Sequence, residues 1–345
     1  MLDVAFLGVT HPHAHAWAVA AHEDPRTRIT RVYDPDADAA RAFAQRYAAE
    51  DAGTAQEALH GAGAVVVDGR NDEAPDFAEI AIDAGLPVFI EKTGARTSAR
   101  LAQVADRAAQ AGVLTQMGFF MRYSDSVVRT RQALEEGALG DLHLARFHAA
   151  IPHQAWTSMA HWFGDATNVV TPFMEAGCHL VDVLRLLLGE PHEIRATRVR
   201  RSGTPSPGED ALAVTMRCAD TVVTIDFTAH EADPWNIGWG GELFGDAATW
   251  RFRVTPARTS LGSGGHVPEV TSPVPMDDPE AIRACMSAEN ADLMRRGMSA
   301  FIDAVGGVAP SPVDARSGAE TLRLIEDVLT ACALPAVRPD PVPTA

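Results

Sequence analysis

From Val4 to Phe120 the chain alternates short, nearly continuous apolar runs with stretches that place apolar residues at three- and four-residue steps. Few folds satisfy that alternation. A continuous apolar run is a strand buried on both faces, and a helical stretch between two such strands is the connection a parallel sheet requires. Strands are expected at 4–9 (VAFLGV), 29–34 (ITRVYD), 64–69 (AVVVDG), 87–92 (PVFIEK) and 113–120 (VLTQMGFF), with helices over 37–49, 75–85 and 98–112. The expectation is an α/β Rossmann-type parallel sheet covered by helices on both sides.

Beyond Arg122 the rhythm changes, giving domains of 1–122 and 123–345. The second combines a helix near 124–137, a long strand at 142–150, strands at 192–201, 211–219, 221–229 and 249–254, and two closing helices. That is an α+β domain with a large, mostly antiparallel open sheet. Within it TPFMEAGCHLVDVLRLLLGEP reads as a helix with Thr171 as N-cap, Pro172 in its first position, and Gly189 and Pro191 at its end.

Composition narrows the class. A formal net charge of −17 repels phosphate backbones and anionic lipid, which argues against nucleic-acid and membrane partners. The four cysteines are scattered with no CxxC pair, so neither a zinc cluster nor a disulfide framework is indicated. No apolar run reaches the ~20 residues of a membrane span, and MLDVAFLGV lacks the features of a signal peptide. A cytoplasmic location is expected. Of 29 basic residues only Lys92 is a lysine. Arginine is always charged, whereas a lysine amine can change its pKa and exchange a proton, so the exception points to a task for an ammonium.

After the first strand, GVTHPHAHAW stands where a dinucleotide-binding loop would read GxGxxG. Gly8 matches, while Thr10 and His13 replace the other two glycines. Asp34 ends the second strand, where an acid would bind the adenosine-ribose hydroxyls, favouring NAD over NADP. The cluster His11, His13 and His15 suggests metal, but the third and fourth strands end in Asp-Gly-Arg-Asn and Glu-Lys-Thr rather than the ligands of a binuclear hydrolase; no metal is expected. The fourth strand puts Glu91 and Lys92 at the carboxyl edge, where such sheets bind ligands. There an ammonium can polarise the reacting oxygen, or hold its proton if burial and neighbours bring its pKa down toward neutrality, with Glu91 as ion-pair partner. On the helix from Pro172, Glu175, His179 and Asp182 follow at spacings of four and three and share a face. The expected chemistry is a histidine of near-neutral pKa kept basic by flanking carboxylates.

Together these motifs resemble the Gfo/Idh/MocA family, that of glucose-fructose oxidoreductase and myo-inositol dehydrogenase. AVVVDGRNDEAPDFAEIAIDAGLPVFIEKT is similar to the family's xxTPNxxHxxxxxxALxAGKHVxxEKP, MGFFMRYS to GFNRRFS, and EAGCHLVDVLRLLLG to DxGxHxxDxxRWLLG. Glu175 stands for the usual aspartate, Phe120 for an asparagine, and Thr93 for the proline after EK.

The resemblance implies an NAD(H)-dependent oxidoreductase that interconverts a secondary alcohol and a ketone on a sugar, cyclitol or glycoside-like substrate; the alternatives are NAD-assisted elimination or glycoside cleavage without net redox change, and a non-catalytic sensor on the same fold. Lys92, Glu175 and His179 would be catalytic. Gly8, Thr10, His11, Asp34, Gly69, Asn71, Glu91 and Lys92 would hold the cofactor. Arg122, His153, Trp156, Trp162 and Asp182 would line the substrate pocket, with Trp235 and Trp239 as further candidates for its wall. A homodimer or homotetramer is expected.

Overall fold

The computed structural model describes residues 1–152, 160–165, 167–169, 171–200, 208–231, 238–255, 257–261 and 279–332. Its first part is a parallel sheet of β1 (Leu2–Leu7), β2 (Thr27–Tyr33), β3 (Glu50–Asp51), β4 (Ala64–Val67), β5 (Val88–Ile90) and β6 (Thr115–Met117), in the spatial order β3-β2-β1-β4-β5-β6. β1 pairs with β2 on one side and β4 on the other, so the strand order reverses beside β1. The crevice at that reversal, outside the carboxyl ends of the strands, is where open α/β sheets bind ligands. The connections are α1 (Ala14–Glu23), α2 (Ala37–Tyr47), α3 (Ala55–Ala58), α4 (Ala74–Asp83) and α5 (Ser98–Ala111). Every residue of β4, β5 and β6 is buried, as expected for strands covered on both faces.

Two local features differ from the expectation. β3 has only two residues, too few to leave a periodic signal. The run expected as a strand over 113–120 is a strand only at Thr115–Met117; the chain then bends into a 3-10 turn at Phe120–Tyr123. Phe119 and Phe120 are nevertheless buried. Their apolar character reports burial beside the cleft, not strand pairing.

The second part opens with α6 (Asp125–Glu135) and β7 (Leu142–Pro152), followed by a short helix α7 (Ala160–Phe163) and α8 (Cys178–Leu188). Then come β8 (His192–Val199), β9 (Ala211–Cys218), β10 (Thr221–Glu231), β11 (Trp239–Gly245), β12 (Thr249–Thr255) and β13 (Arg258–Leu261). The sheet order is β13-β12-β11-β7-β10-β9-β8. All its pairings are antiparallel except β7 with β10, so the sheet is mixed rather than a pure meander.

The closing helices, α9 (Pro279–Val305) and α10 (Ala315–Ala331), return to the first sheet. The backbone N–H of Met117 donates to Val313, that of Ala315 to the Thr115 hydroxyl, and the Gln116 amide to the Gly297 carbonyl. Small residues permit this docking. A Cβ on Gly318 would stand 2.9 Å from the Met117 side chain, and one on Gly297 3.3 Å from Trp17. No helix among the described residues is long and apolar enough to cross a membrane.

Candidate active site

The loop after β1 reaches the floor of the crevice because Gly8 lets it. Its φ is +77°, and a Cβ there would lie 2.4 Å from the Gly69 Cα, so β1 and the end of β4 meet backbone to backbone. The loop is tied by Asp34, whose carboxylate accepts from the Val9 N–H at 2.6 Å and the Asp36 N–H at 2.8 Å. Asp34 therefore stands at the end of β2 facing the loop, where the sequence places it. The Thr10 hydroxyl is buried and has no partner.

Lys92 follows β5 and is 4% exposed. Its ammonium donates to the Glu175 carboxylate at 2.8 Å and lies 3.1 Å from His11 Nε2 and 3.5 Å from Glu91. Glu175 also receives the Asn71 side-chain amide at 2.9 Å. Asn71 is itself fixed, since its backbone N–H donates to Asn168 and its carbonyl oxygen accepts from Thr93. Lys92 and Asn71, 83 and 104 positions from Glu175, thus close on one point across both parts of the chain.

The electrostatics decide between the two roles left open for Lys92. Burial alone would push the ammonium down, but Glu175 and Glu91 outweigh it and hold Lys92 above its ordinary range. Burial would likewise raise Glu175; Lys92 and His11 instead hold it well below the usual carboxylate range. Lys92 and Glu175 are therefore a charged pair, not a neutral amine awaiting a proton.

Glu175 lies in a wide π-type turn, Phe173–Gly177, that precedes α8, with Thr171 capping through its hydroxyl to the Met174 N–H. Glu175, His179 and Asp182 all face the first part of the chain, as their spacing implies, but they serve three separate partners. Asp182 holds Arg122 in a bidentate pair at 2.6 and 2.7 Å. His179 is boxed by Phe120 at 4.6 Å, Phe119 at 6.0 Å and Trp239 at 6.4 Å between ring centroids. Its Nδ1 is buried without a hydrogen-bond partner among the described residues. Burial, and then the Lys92 charge, hold the ring well below its ordinary pKa, so it is a neutral imidazole. The expectation of a near-neutral pKa sustained by flanking carboxylates fails, because those carboxylates are engaged with Lys92 and Arg122.

Trp162 packs edge-on against His11 at 4.9 Å, and its indole N–H has no partner. His153, Trp156 and Trp235 lie outside the described residues. The sequence reading missed three contributors. Trp17 donates its indole N–H to Glu91 at 2.6 Å. Asn168 carries Asn71. Asp68, closing β4, is fully buried with neither carboxylate oxygen hydrogen-bonded, and burial pushes its pKa well up. An acid closing the all-apolar run AVVV was the available signal. His13 donates its Nδ1–H to the Glu91 carboxylate over 2.8 Å, whereas His15 turns away to Tyr47.

Residues 2–119 match the model of an oxidoreductase family with an NAD-binding Rossmann fold, and residues 127–251 match a GFO/IDH/MocA C-terminal domain. The chain belongs to the Gfo/Idh/MocA family. Inositol 2-dehydrogenase 1 of Saccharopolyspora erythraea is 29% identical over 212 residues, covering 59% of this chain and 58% of that protein. Inositol 2-dehydrogenase of Acidiphilium cryptum is 30% identical over 173 residues, 48% of each chain. The chain spans about half the length of the curated relatives it matches.

Among solved structures, an oxidoreductase from Agrobacterium radiobacter in complex with NAD+, L-tartaric acid and magnesium superposes with a TM-score of 0.83 at 15% identity, covering 96% of both chains. The WlbA dehydrogenase from Bordetella pertussis, in complex with NADH and UDP-GlcNAcA, gives 0.81 at 18% identity, covering 96% of this chain and 95% of that one. At such identities the likeness is one of fold. The Gfo/Idh/MocA fold thus places an NAD-binding Rossmann domain beside the mixed sheet, with the Lys92 cluster at their junction.

Proposed function

We propose that this chain is an NAD(H)-dependent oxidoreductase that interconverts a secondary alcohol and a ketone on a sugar- or cyclitol-like substrate. The observation that carries the reading is the buried Lys92–Glu175 pair beside a neutral, unpartnered His179 at the carboxyl edge of the Rossmann sheet. The relatives named inositol 2-dehydrogenases support a polyol substrate.

The residues present fit the dinucleotide. Gly8 and Gly69 leave bare backbone at the crevice, Thr10 offers an unpartnered hydroxyl, and Asp34 stands at the end of β2. A carboxylate there hydrogen-bonds ribose hydroxyls and repels a 2′-phosphate, which favours NAD. NAD, when bound, supplies the hydride acceptor and NADH the donor. His11, Asn71 and Glu91 stand one step back and fix Lys92 and Glu175.

Lys92, a persistent ammonium, hydrogen-bonds the reacting oxygen and stabilises negative charge on it in the transition state. His179 takes the hydroxyl proton on oxidation and returns it on reduction, because Nδ1 is free and the ring is neutral. Glu175 anchors Lys92 and orients it. The aromatic rings around His179 exclude water and offer faces for an apolar side of the substrate. Arg122 and Asp182 brace the turn carrying Phe120 and reach substrate only through their rims, since they are committed to each other.

The test is NADH formation by purified protein with a panel of cyclitols, sugars and their glycosides. Turnover with at least one polyol that is lost in Lys92→Met, with NAD binding retained, supports the reading. Unchanged turnover in that variant overturns it.

A further inference from the structure

The ammonium of Lys92 has three hydrogens and, in the proposed reaction, must keep one for the reacting oxygen. Glu175 Oε1 at 2.8 Å and His11 Nε2 at 3.1 Å take two. The third is not held by Glu91, which stands at 3.5 Å. Its direction therefore depends on how firmly the other two partners are fixed. Glu175 binds Lys92 through one oxygen and Asn71 through the other, so rotation of its carboxylate would carry the ammonium with it. The Asn71 side chain is thus a brace on Lys92, and whatever orients that side chain bears on the chemistry.

An amide can hold a carboxylate only with its NH2 end. Turned over, Asn71 would set Oδ1 against Glu175 Oε2, two acceptors 2.9 Å apart with no hydrogen between them. The tie to Asn168 fixes the Asn71 backbone N–H and leaves the far end of the side chain free to turn. Thr93 reaches that end. Its hydroxyl lies 3.1 Å from Asn71 Oδ1 and 2.9 Å from the Ala95 carbonyl, and both partners offer only lone pairs, so its one hydrogen is shared between them. Thr93 is 1% exposed and Asn71 4%, so bulk water does not stand in for that hydrogen. Proline, which follows Glu-Lys in the motif this stretch resembles, has no hydroxyl to give.

We propose that Thr93 is a positioning residue: its hydroxyl fixes which end of the Asn71 amide meets Glu175, and through Glu175 it fixes the direction of the Lys92 ammonium. It acts through those two side chains and not on the substrate. The inference deepens the oxidoreductase reading and rests on it for the reaction that is served. The chain from Thr93 through Asn71 and Glu175 to Lys92 can nevertheless be followed without turnover, because Lys92 is the only lysine in the sequence. Lysine labelled with 15N at Nζ therefore gives a single ammonium resonance.

The test compares the parent protein with Thr93→Val, Thr93→Ser, Asn71→Ala and the double variant Asn71→Ala with Thr93→Val, a melting profile showing that each folds. In the labelled proteins Thr93→Val should shift or broaden the Lys92 ammonium resonance, and Thr93→Ser should leave it near its parent position. With polyol and NAD, Thr93→Val should lower kcat about 10-fold at nearly unchanged KM and NAD affinity. Thr93→Ser should restore kcat, and Thr93→Val should add nothing in the Asn71→Ala background. A Lys92 resonance unmoved in Thr93→Val, a serine variant that behaves as the valine one, or losses that add in the double variant overturn the proposal. If Thr93→Val does not fold, Thr93→Ala, which fills less space, takes its place with the same expected outcomes. A parent protein that oxidises no polyol while its ammonium resonance moves as expected removes the oxidoreductase reading and keeps the brace; turnover with an unmoved resonance does the reverse.

Discussion

Glu175→Gln removes a charge while keeping shape, and it leaves the Lys92 ammonium buried with its best partner gone. The pair is 2.8 Å apart with both side chains within 5% of full burial. At that distance and an effective dielectric of about 20, the attraction is about 6 kcal/mol. Glutamine returns part of it as a neutral acceptor, still able to take the Asn71 amide, and Glu91 at 3.5 Å returns more. Breaking a buried pair on one side costs about 3–5 kcal/mol, and that is the expected loss. Urea unfolding of the parent and variant measures it. Lys92→Met alone strands the carboxylate and should cost a similar amount, whereas the double variant should recover at least half of it. A single-variant loss under ~1 kcal/mol, or strictly additive losses in the double variant, would refute the view that the pair is dry and mutually dependent.

Gly8→Ala forces a side chain into a positive φ and a 2.4 Å approach to Gly69; unfolding should show a loss of at least ~2 kcal/mol, and calorimetry a loss of NAD binding. Asp34→Asn removes the charge and keeps only one of the two loop hydrogen bonds, and the NAD-to-NADP preference should fall about tenfold, near 1.4 kcal/mol, in competitive thermal shifts. For His179 the unfolded ring takes a proton near pH 6.5 and the folded ring, with its depressed pKa, does not. Stability is then full above that pH and falls below it, by up to ~1.4 kcal/mol per pH unit from this group; His179→Gln should flatten that part of the curve. Imidazole NMR signals of His179 that titrate near pH 6.5 in the folded protein would contradict it.

Much of this architecture was legible because it rests on periodicity. The continuous apolar runs located four of the six strands of the first sheet closely, and the stripe Glu175, His179 and Asp182 does face the cleft. The solitary Lys92 does lie buried beside Glu175 and His11 at the carboxyl end of β5. What periodicity cannot carry is pairing at a distance. Nothing local tells that Asn71 will meet Glu175, that Trp17 will meet Glu91, or that Arg122 will take Asp182 for itself. Hence the carboxylates expected beside His179 go elsewhere: the fold gives Glu175 to the lysine and Asp182 to the arginine. The run over 113–120 misled for a related reason, since a buried turn and a buried strand look alike in hydrophobicity.

The most direct test is transfer of hydride from a specifically deuterated cyclitol or sugar to NAD, followed by mass spectrometry of the reduced cofactor. The account predicts one deuterium on the nicotinamide ring, formed by the parent protein and not by Lys92→Met or His179→Gln variants that still bind NAD. Unlabelled NADH, or equal labelling by those variants, would contradict it.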